Sequence, residues 1–340
     1  MFVAIFGSIE LGIIYAIMAL GVYLSFRILD FPDLTVDGSF VTGAAVTAVL
    51  IVNGVNPFLA TIVALFAGFL AGCITGLLHT KGKINALLSG ILMMIALYSI
   101  NLRIMEKKSN VPLLNKETAI TKLTTFWKSL GFDDGMNRFL TGIGLENFLP
   151  KTWAVLFFML IITIGIKLIT DWFLRTEIGL AIRAVGDNKK MISSFSANTD
   201  NLTIAGLGIS NALVAFSGAL VAQYNSFSDV GMGIGMIVIG LASVIIGEAL
   251  FGTKTIARTT LAVIGGAIIY RIVLALALKV KLLDTGDMKL ITATIVVLAL
   301  TIPKFIDGQK EKKRKKKRKM EQLKMASEGG DANAASKANL

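Results

Sequence analysis

The chain has 340 residues, of which 54% are hydrophobic and 16% charged, and its mean hydropathy is +0.73. Soluble globular chains carry about 25% charged residues, so this composition excludes an ordinary cytosolic enzyme, and the lone cysteine, Cys73, excludes a disulfide framework. The net charge of +12 is largely a tail: from Lys304 onward there are 12 basic and 5 acidic residues, a solvated run, or alternatively a contact for anionic lipid headgroups, and no nucleic-acid-binding face.

A helix that crosses the hydrocarbon core needs about 20 mostly apolar residues. In chain order the first candidate is 3–26, which carries one charge, Glu10. The stretch Phe31–Pro–Asp–Leu–Thr–Val–Asp–Gly–Ser–Phe40 follows. Pro32 disfavours helix just before it. Thr35, Asp37 or Ser39 can then cap the next helix. Alternatively Asp33, Thr35, Asp37 and Ser39 belong to an interrupted helix whose backbone lines a cavity, the setting in which irregular backbone is tolerated at membrane depth.

A short span is expected near 38–53 and a long one near 58–79. The latter has Gly68, Gly72 and Gly76 on one face, a pattern that lets helices approach closely. Its last residue, His79, lacks the co-ligands a metal site needs. Span 85–102 comes next, then a long polar segment at 103–150, then span 152–170. Residues 171–201 form a polar loop in which Ile178, Ala181, Ile182 and Val185 recur at helical spacing, with Glu177 and Arg183 off that stripe. This predicts a short amphipathic helix closed by Gly186. Spans 203–224, 234–251 (short, with Glu248 near its end), 260–280 and 287–305 complete the series.

The fold class is therefore all-α: a polytopic transmembrane bundle of about nine spans over residues 1–305, with a basic disordered tail over 306–340. Thr80–Lys–Gly–Lys–Ile84 and Gly252–Thr–Lys–Thr–Ile256 each lead from a glycine-rich span into an apolar helix, a faint internal pseudo-repeat. The basic tail and the Lys- and Arg-bearing short loops place the C-terminus in the cytoplasm and the N-terminus outside. Lys279, Lys281 and Lys289 run against that trend. The first residues have neither a basic leader nor a small-residue cleavage site.

Arg271, beside Tyr270 in the middle of span 260–280, is the most costly charge. It pairs with a carboxylate, for which Glu10 and Glu248 are the candidates, caps backbone carbonyls inside the bundle, or faces a substrate along the pathway.

The loop Arg175–Thr–Glu–Ile–Gly–Leu–Ala–Ile–Arg–Ala–Val–Gly–Asp–Asn188 resembles the coupling-helix signature of ATP-binding-cassette importer permeases of the branched-chain amino acid and ribose superfamily. The matching positions are Thr176, Gly179, Ala181, Arg183, Ala184, Gly186 and Asn188, with Asp187 beside them. Two further stretches, Asp30–Gly43 and Ser243–Gly252, resemble the subgroup that pairs with tryptophan/tyrosine-type substrate-binding lipoproteins. The resemblance spans about residues 7–305.

It implies a permease homodimer in the bilayer, an extracellular binding lipoprotein, and a cytoplasmic ATPase that holds ATP and Mg. No cofactor is expected in this chain, which has no GxxxxGK[ST] phosphate loop. The expected solute is an amino acid or related compound, with nucleosides or sugars as the alternative. The residues alone also permit an ion-coupled secondary transporter that uses Glu10, Asp37 and Arg271. An intramembrane enzyme is disfavoured, because no nucleophile–base pair falls within the spans.

Overall fold

The computed structural model describes residues 2–142, 150, 152–194 and 197–277, together with 290, 291, 293, 294, 297 and 301. It divides into two units, Met1–Ala293 and Thr294–Leu340. In the second, the described positions are helical, and Thr301 donates to the Val297 carbonyl. The expected tail at 306–340, and Lys279, Lys281 and Lys289, lie outside the described residues. So does most of 287–305.

The first unit opens with α1 (Phe2–Tyr23), prolonged by a π-helical turn over Leu24–Ile28. Single π turns mark places where a helix is bent for a purpose. The chain then leaves the helix through Asp30, whose φ of 52° is left-handed. It re-enters at α2 (Thr35–Val52). None of Thr35, Asp37 or Ser39 caps α2. That role falls to Asp33, whose carboxylate accepts from the Thr35 backbone N–H at 2.9 Å.

Helices α3 (Pro57–Thr80) and α4 (Ala86–Ile104) begin alike. Asn56 and Asn85 accept from the N–H groups of Phe58 and Leu87, each at 3.0 Å, and Pro57 opens α3 where its missing donor is harmless.

The 103–150 segment carries regular structure. A short strand, β1 (Asn110–Pro112), pairs antiparallel with β2 (Phe227–Asp229), and two amphipathic helices follow β1: α5 (Ala119–Ser129) and α6 (Phe132–Gly142). Thr118 and Thr121 form a capping box at the start of α5. Gln223 ties this segment down. It accepts from the Ala119 N–H at 2.8 Å and donates to Thr61 at 2.8 Å.

After α7 (Ala154–Phe173) come α8 (Glu177–Ser194), α9 (Thr199–Asn225), α10 (Met236–Phe251) and α11 (Ile256–Ala277). α9 runs through the middle of the bundle against α1, α2 and α3. The two halves share one order: a long helix, an irregular turn, a shorter helix and a long helix. They also dock reciprocally, since α3 lies along α9 while α11 lies along α1. This is the geometry of an internal repeat, but not in the register of the sequence pseudo-repeat, whose two copies lie in the α3–α4 and α10–α11 turns.

Close approach explains the glycine face of α3. A Cβ at Gly68 or Gly72 would collide with backbone of α9 at Asn211 and Leu207, and one at Gly76 with Ile204 Cα at 2.7 Å.

The burial pattern is that of a protein dissolved in lipid. Central helices α1, α2 and α9 are mostly buried, whereas the outer ones present apolar side chains outward: Phe66 and Leu70 on α3, Ile95 on α4, Ile164 and Leu168 on α7. In water such faces would drive aggregation, while in hydrocarbon they are the solvated surface. The chain is a multi-pass membrane protein. Among the described residues, seven helices are long and apolar enough to cross a bilayer, and α10, at 16 residues, is shorter. The expected total of nine is not reached within those residues.

Candidate functional site

The interrupted segment before α2 builds a polar layer among α2, α3 and α9. Asp33 is fully buried. Besides the Thr35 N–H, its carboxylate accepts from Asn211 Nδ2 of α9 at 2.6 Å. Thr35 Oγ1 and Thr75 Oγ1 share a 2.7 Å hydrogen bond to α3. Asp33 and Thr35 thus hold three helices together. Ser39 is also buried, and its hydroxyl has no hydrogen-bond partner.

Asp37 does something else. Its two carboxylate oxygens accept from the backbone N–H groups of Gly235 at 2.9 Å and Ile237 at 2.8 Å. It therefore caps α10 from another helix, and its charge sits at the positive end of the α10 dipole. Next to it lies a cavity of about 410 Å³ between α2, α4 and the 230–234 turn. Asp37, Val41, Met94, Tyr98, Asn101 and Ile234 are among the residues that line it.

Arg271 finds neither of its expected partners. Glu10 instead accepts from the Tyr224 hydroxyl at 2.9 Å. Glu248 is bound by Arg27, whose Nε reaches Oε1 at 3.0 Å while Nη2 grips Oε2. The Arg271 guanidinium lies over the Tyr15 ring, 4.2 Å from its centroid, and its Nε is buried without a hydrogen-bond partner. An aromatic face is a partner that requires no carboxylate. Tyr270 is fully buried.

The third region is the loop between α7 and α9. Thr176 opens α8, with Oγ1 accepting from the Gly179 N–H at 3.2 Å and donating to the Phe173 carbonyl at 2.6 Å. Gly179 has no room for a side chain, because a Cβ there would meet Leu174 Cα at 2.7 Å and the Phe173 carbonyl oxygen. Gly186 is pressed in the same way on Ile28. Ile182 and Val185 are buried against Leu29, Phe31 and Leu207.

The inward stripe is therefore Gly179, Ile182 and Val185. Ile178, expected on that stripe, points outward with Leu180, at 57% and 51% exposure. Ala181 and Ala184 are half-buried, and Asp187 and Asn188 are exposed. The helix does not close at Gly186. It kinks at Asn188 (φ −153°, ψ 88°), whose side chain accepts from the Met191 N–H at 3.0 Å and starts a further turn. Arg183 lines a polar cavity of about 430 Å³ together with Arg27, Glu248 and Lys254.

Sequence reading passed over four residues that matter here. Asn101 and Asn211 are carboxamides inside apolar spans, and each has a buried Oδ1 without a partner. Lys167 sits inside α7 and binds Asp171 at 2.6 Å, and Asp171 in turn accepts from Thr260 of α11 at 2.7 Å. Gln223 bridges three helices. A polar side chain within a hydrophobic window was the available signal in every case.

Among the described residues, no three His, Cys, Asp or Glu side chains gather in a way that could hold a metal. His79 shares a 2.8 Å hydrogen bond with the Ile84 carbonyl.

Residues 4–302 match the family described as branched-chain amino acid transport system / permease component. A tyrosine transport system permease protein of Clostridioides difficile (strain R20291) is 43% identical over 289 residues, which cover 85% of this chain and 88% of that protein. An uncharacterized protein of Rickettsia prowazekii (strain Madrid E) is 32% identical over 298 residues, 86% of this chain and 95% of that protein. No solved structure matches the chain significantly.

Proposed function

This chain belongs to the family of permease components of branched-chain amino acid transport systems, and we propose that its solute is an aromatic amino acid of the tyrosine type. It is the membrane-spanning permease subunit of an ATP-binding-cassette importer for amino-acid-type solutes. The 43% identity to a tyrosine transport permease over most of both chains supports the narrower substrate.

In this reading α8 is the coupling element. Thr176, Gly179 and Gly186 fix it against the bundle, and Ala181, Arg183, Ala184, Asp187 and Asn188 lie on or beside the surface offered to a separate cytoplasmic ATPase, which holds ATP and Mg. The observation that carries this is the outward pair Ile178 and Leu180, apolar side chains on a helix too polar to span a membrane. Exposed apolar residues on a short helix are the anchors of a helix-in-groove contact.

Residues 103–150, anchored by Gln223 and the β1–β2 pair, form the landing surface for an extracellular substrate-binding lipoprotein. Two permease chains assemble as a homodimer, with the Asp37 cavity on the translocation path. The N-terminus is external and the C-terminus cytoplasmic. ATP binding then shifts the two permease chains between inward- and outward-facing states.

Uptake of labelled tyrosine into proteoliposomes tests this. Transport is expected only with the ATPase, ATP and the binding lipoprotein present. Uptake driven by an ion gradient without the ATPase overturns it.

A further inference from the structure

Asn101 stands near the end of α4 with about 1% of its surface exposed. Its Nδ2 donates to the Gly38 carbonyl at 3.1 Å, which orients the carboxamide. Its Oδ1 is then left buried with no partner, and Asn101 is among the residues that line the 410 Å³ cavity. A buried acceptor of this kind is unfavourable unless something fills it.

Asp37 precedes Gly38 and lines the same cavity. Its two backbone hydrogen bonds use about half of the roughly four acceptor positions of a carboxylate. The cavity is therefore lined by a carboxylate and by the residue that carries the unpaired amide oxygen. Among the described residues that line it there is no lysine, arginine or histidine, and Val41, Met94, Ile95, Tyr98 and Ile234 are apolar or aromatic.

These groups sort ligands by charge. An ammonium meets the Asp37 charge and donates to Asn101 Oδ1, while its apolar body lies on Met94 and Tyr98. A lone carboxylate meets the like charge of Asp37, which disfavours it. A lipid tail fills the volume but leaves Asn101 Oδ1 unpaired.

We propose that Asn101 and Asp37 form a subsite that reads the ammonium group of a solute with an apolar or aromatic body, and that Asn101 is its specificity-determining residue. The placement of this subsite on the translocation path rests on the importer reading above. Binding at the subsite does not.

The test uses the purified full-length permease in lipid nanodiscs, with phenethylamine and phenylpropionate as probes. Each has an aromatic body, but only the first carries an ammonium. Equilibrium binding to wild type is expected for phenethylamine and not for phenylpropionate. Asn101→Leu should weaken phenethylamine binding about tenfold or more, the effect of one hydrogen bond to a charged group. Asn101→Leu also removes the bond to Gly38, so Thr42→Val, which removes another hydrogen bond to the same carbonyl at 3.0 Å, serves as the structural control and should bind normally.

Equal binding of both probes, unchanged binding by Asn101→Leu, equal losses in Asn101→Leu and Thr42→Val, or no phenethylamine binding to wild type each overturn the proposal. Success or failure of ATP-driven tyrosine uptake by wild type judges the importer reading separately.

Discussion

The Asp37 carboxylate, in the first turn of α2, accepts a 2.8 Å hydrogen bond from the backbone N–H of Ile237 in the first turn of α10. One side chain thereby joins the beginnings of the two shorter helices, one from each half of the bundle. Asp37→Leu orphans two part-buried backbone donors, a loss of at most about 1–3 kcal/mol for each group. Asp37→Asn keeps one acceptor and should lose roughly half as much. Thermal unfolding of the detergent-solubilised variants checks the order wild type, Asn, Leu. An Asn variant no more stable than the Leu variant contradicts the capping role.

Lys167 and Asp171 are 12% and 9% exposed at their side chains, and Thr260 adds a hydrogen bond from α11. Removing one member of a buried pair strands the other charge, typically at about 3–5 kcal/mol, while replacing both is much better tolerated. Lys167→Met should therefore lower Tm more than the double variant Lys167→Met/Asp171→Leu. Equal melting of the two variants contradicts this.

Arg27 and Glu248 tie the π turn of α1 to the last turns of α10, beside Arg183 of α8. Arg27 is 55% exposed, so the pair contributes at most about 1 kcal/mol to stability. Its effect should appear in transport. Arg27→Glu should impair ATP-driven uptake with little change in Tm, and Arg27→Glu/Glu248→Arg should restore it. Failure of the swap to restore uptake contradicts a role for the pair itself.

Gly72 and Gly165 give a matched contrast. A side chain at Gly72 runs into the α9 backbone at Leu207, whereas among the described residues nothing lies within 4 Å of one at Gly165. Gly72→Leu should abolish a monodisperse peak in size-exclusion chromatography, and Gly165→Leu should leave it intact. Overpacking typically costs about 1–3 kcal/mol, and more where backbone must move.

The bundle itself was legible because lipid imposes a coarse rule: long apolar runs must be helices. The GxxxG face of α3 followed from the same reasoning and meets α9. What the pattern could not convey was which polar group meets which. Arg271 was expected beside a carboxylate and lies over Tyr15, because side-chain pairing depends on how distant helices cross. Asp37 read as a cap for its own helix and caps α10 instead, about 200 residues away. The periodicity of α8 was visible, but its phase was misjudged. Close packing at Gly179 and Gly186 turns the glycine side inward, so Ile178 faces out.

The outward face of α8 carries the proposed coupling to the ATPase. Co-purification of the permease with its cognate ATPase measures it directly, using Ile178→Asp/Leu180→Asp. These residues are preferable to Gly179, whose replacement would deform the α7–α8 turn. The double variant should elute normally and keep its Tm yet fail to retain the ATPase. A variant that retains the ATPase at wild-type stoichiometry contradicts the assignment of α8 as the coupling helix.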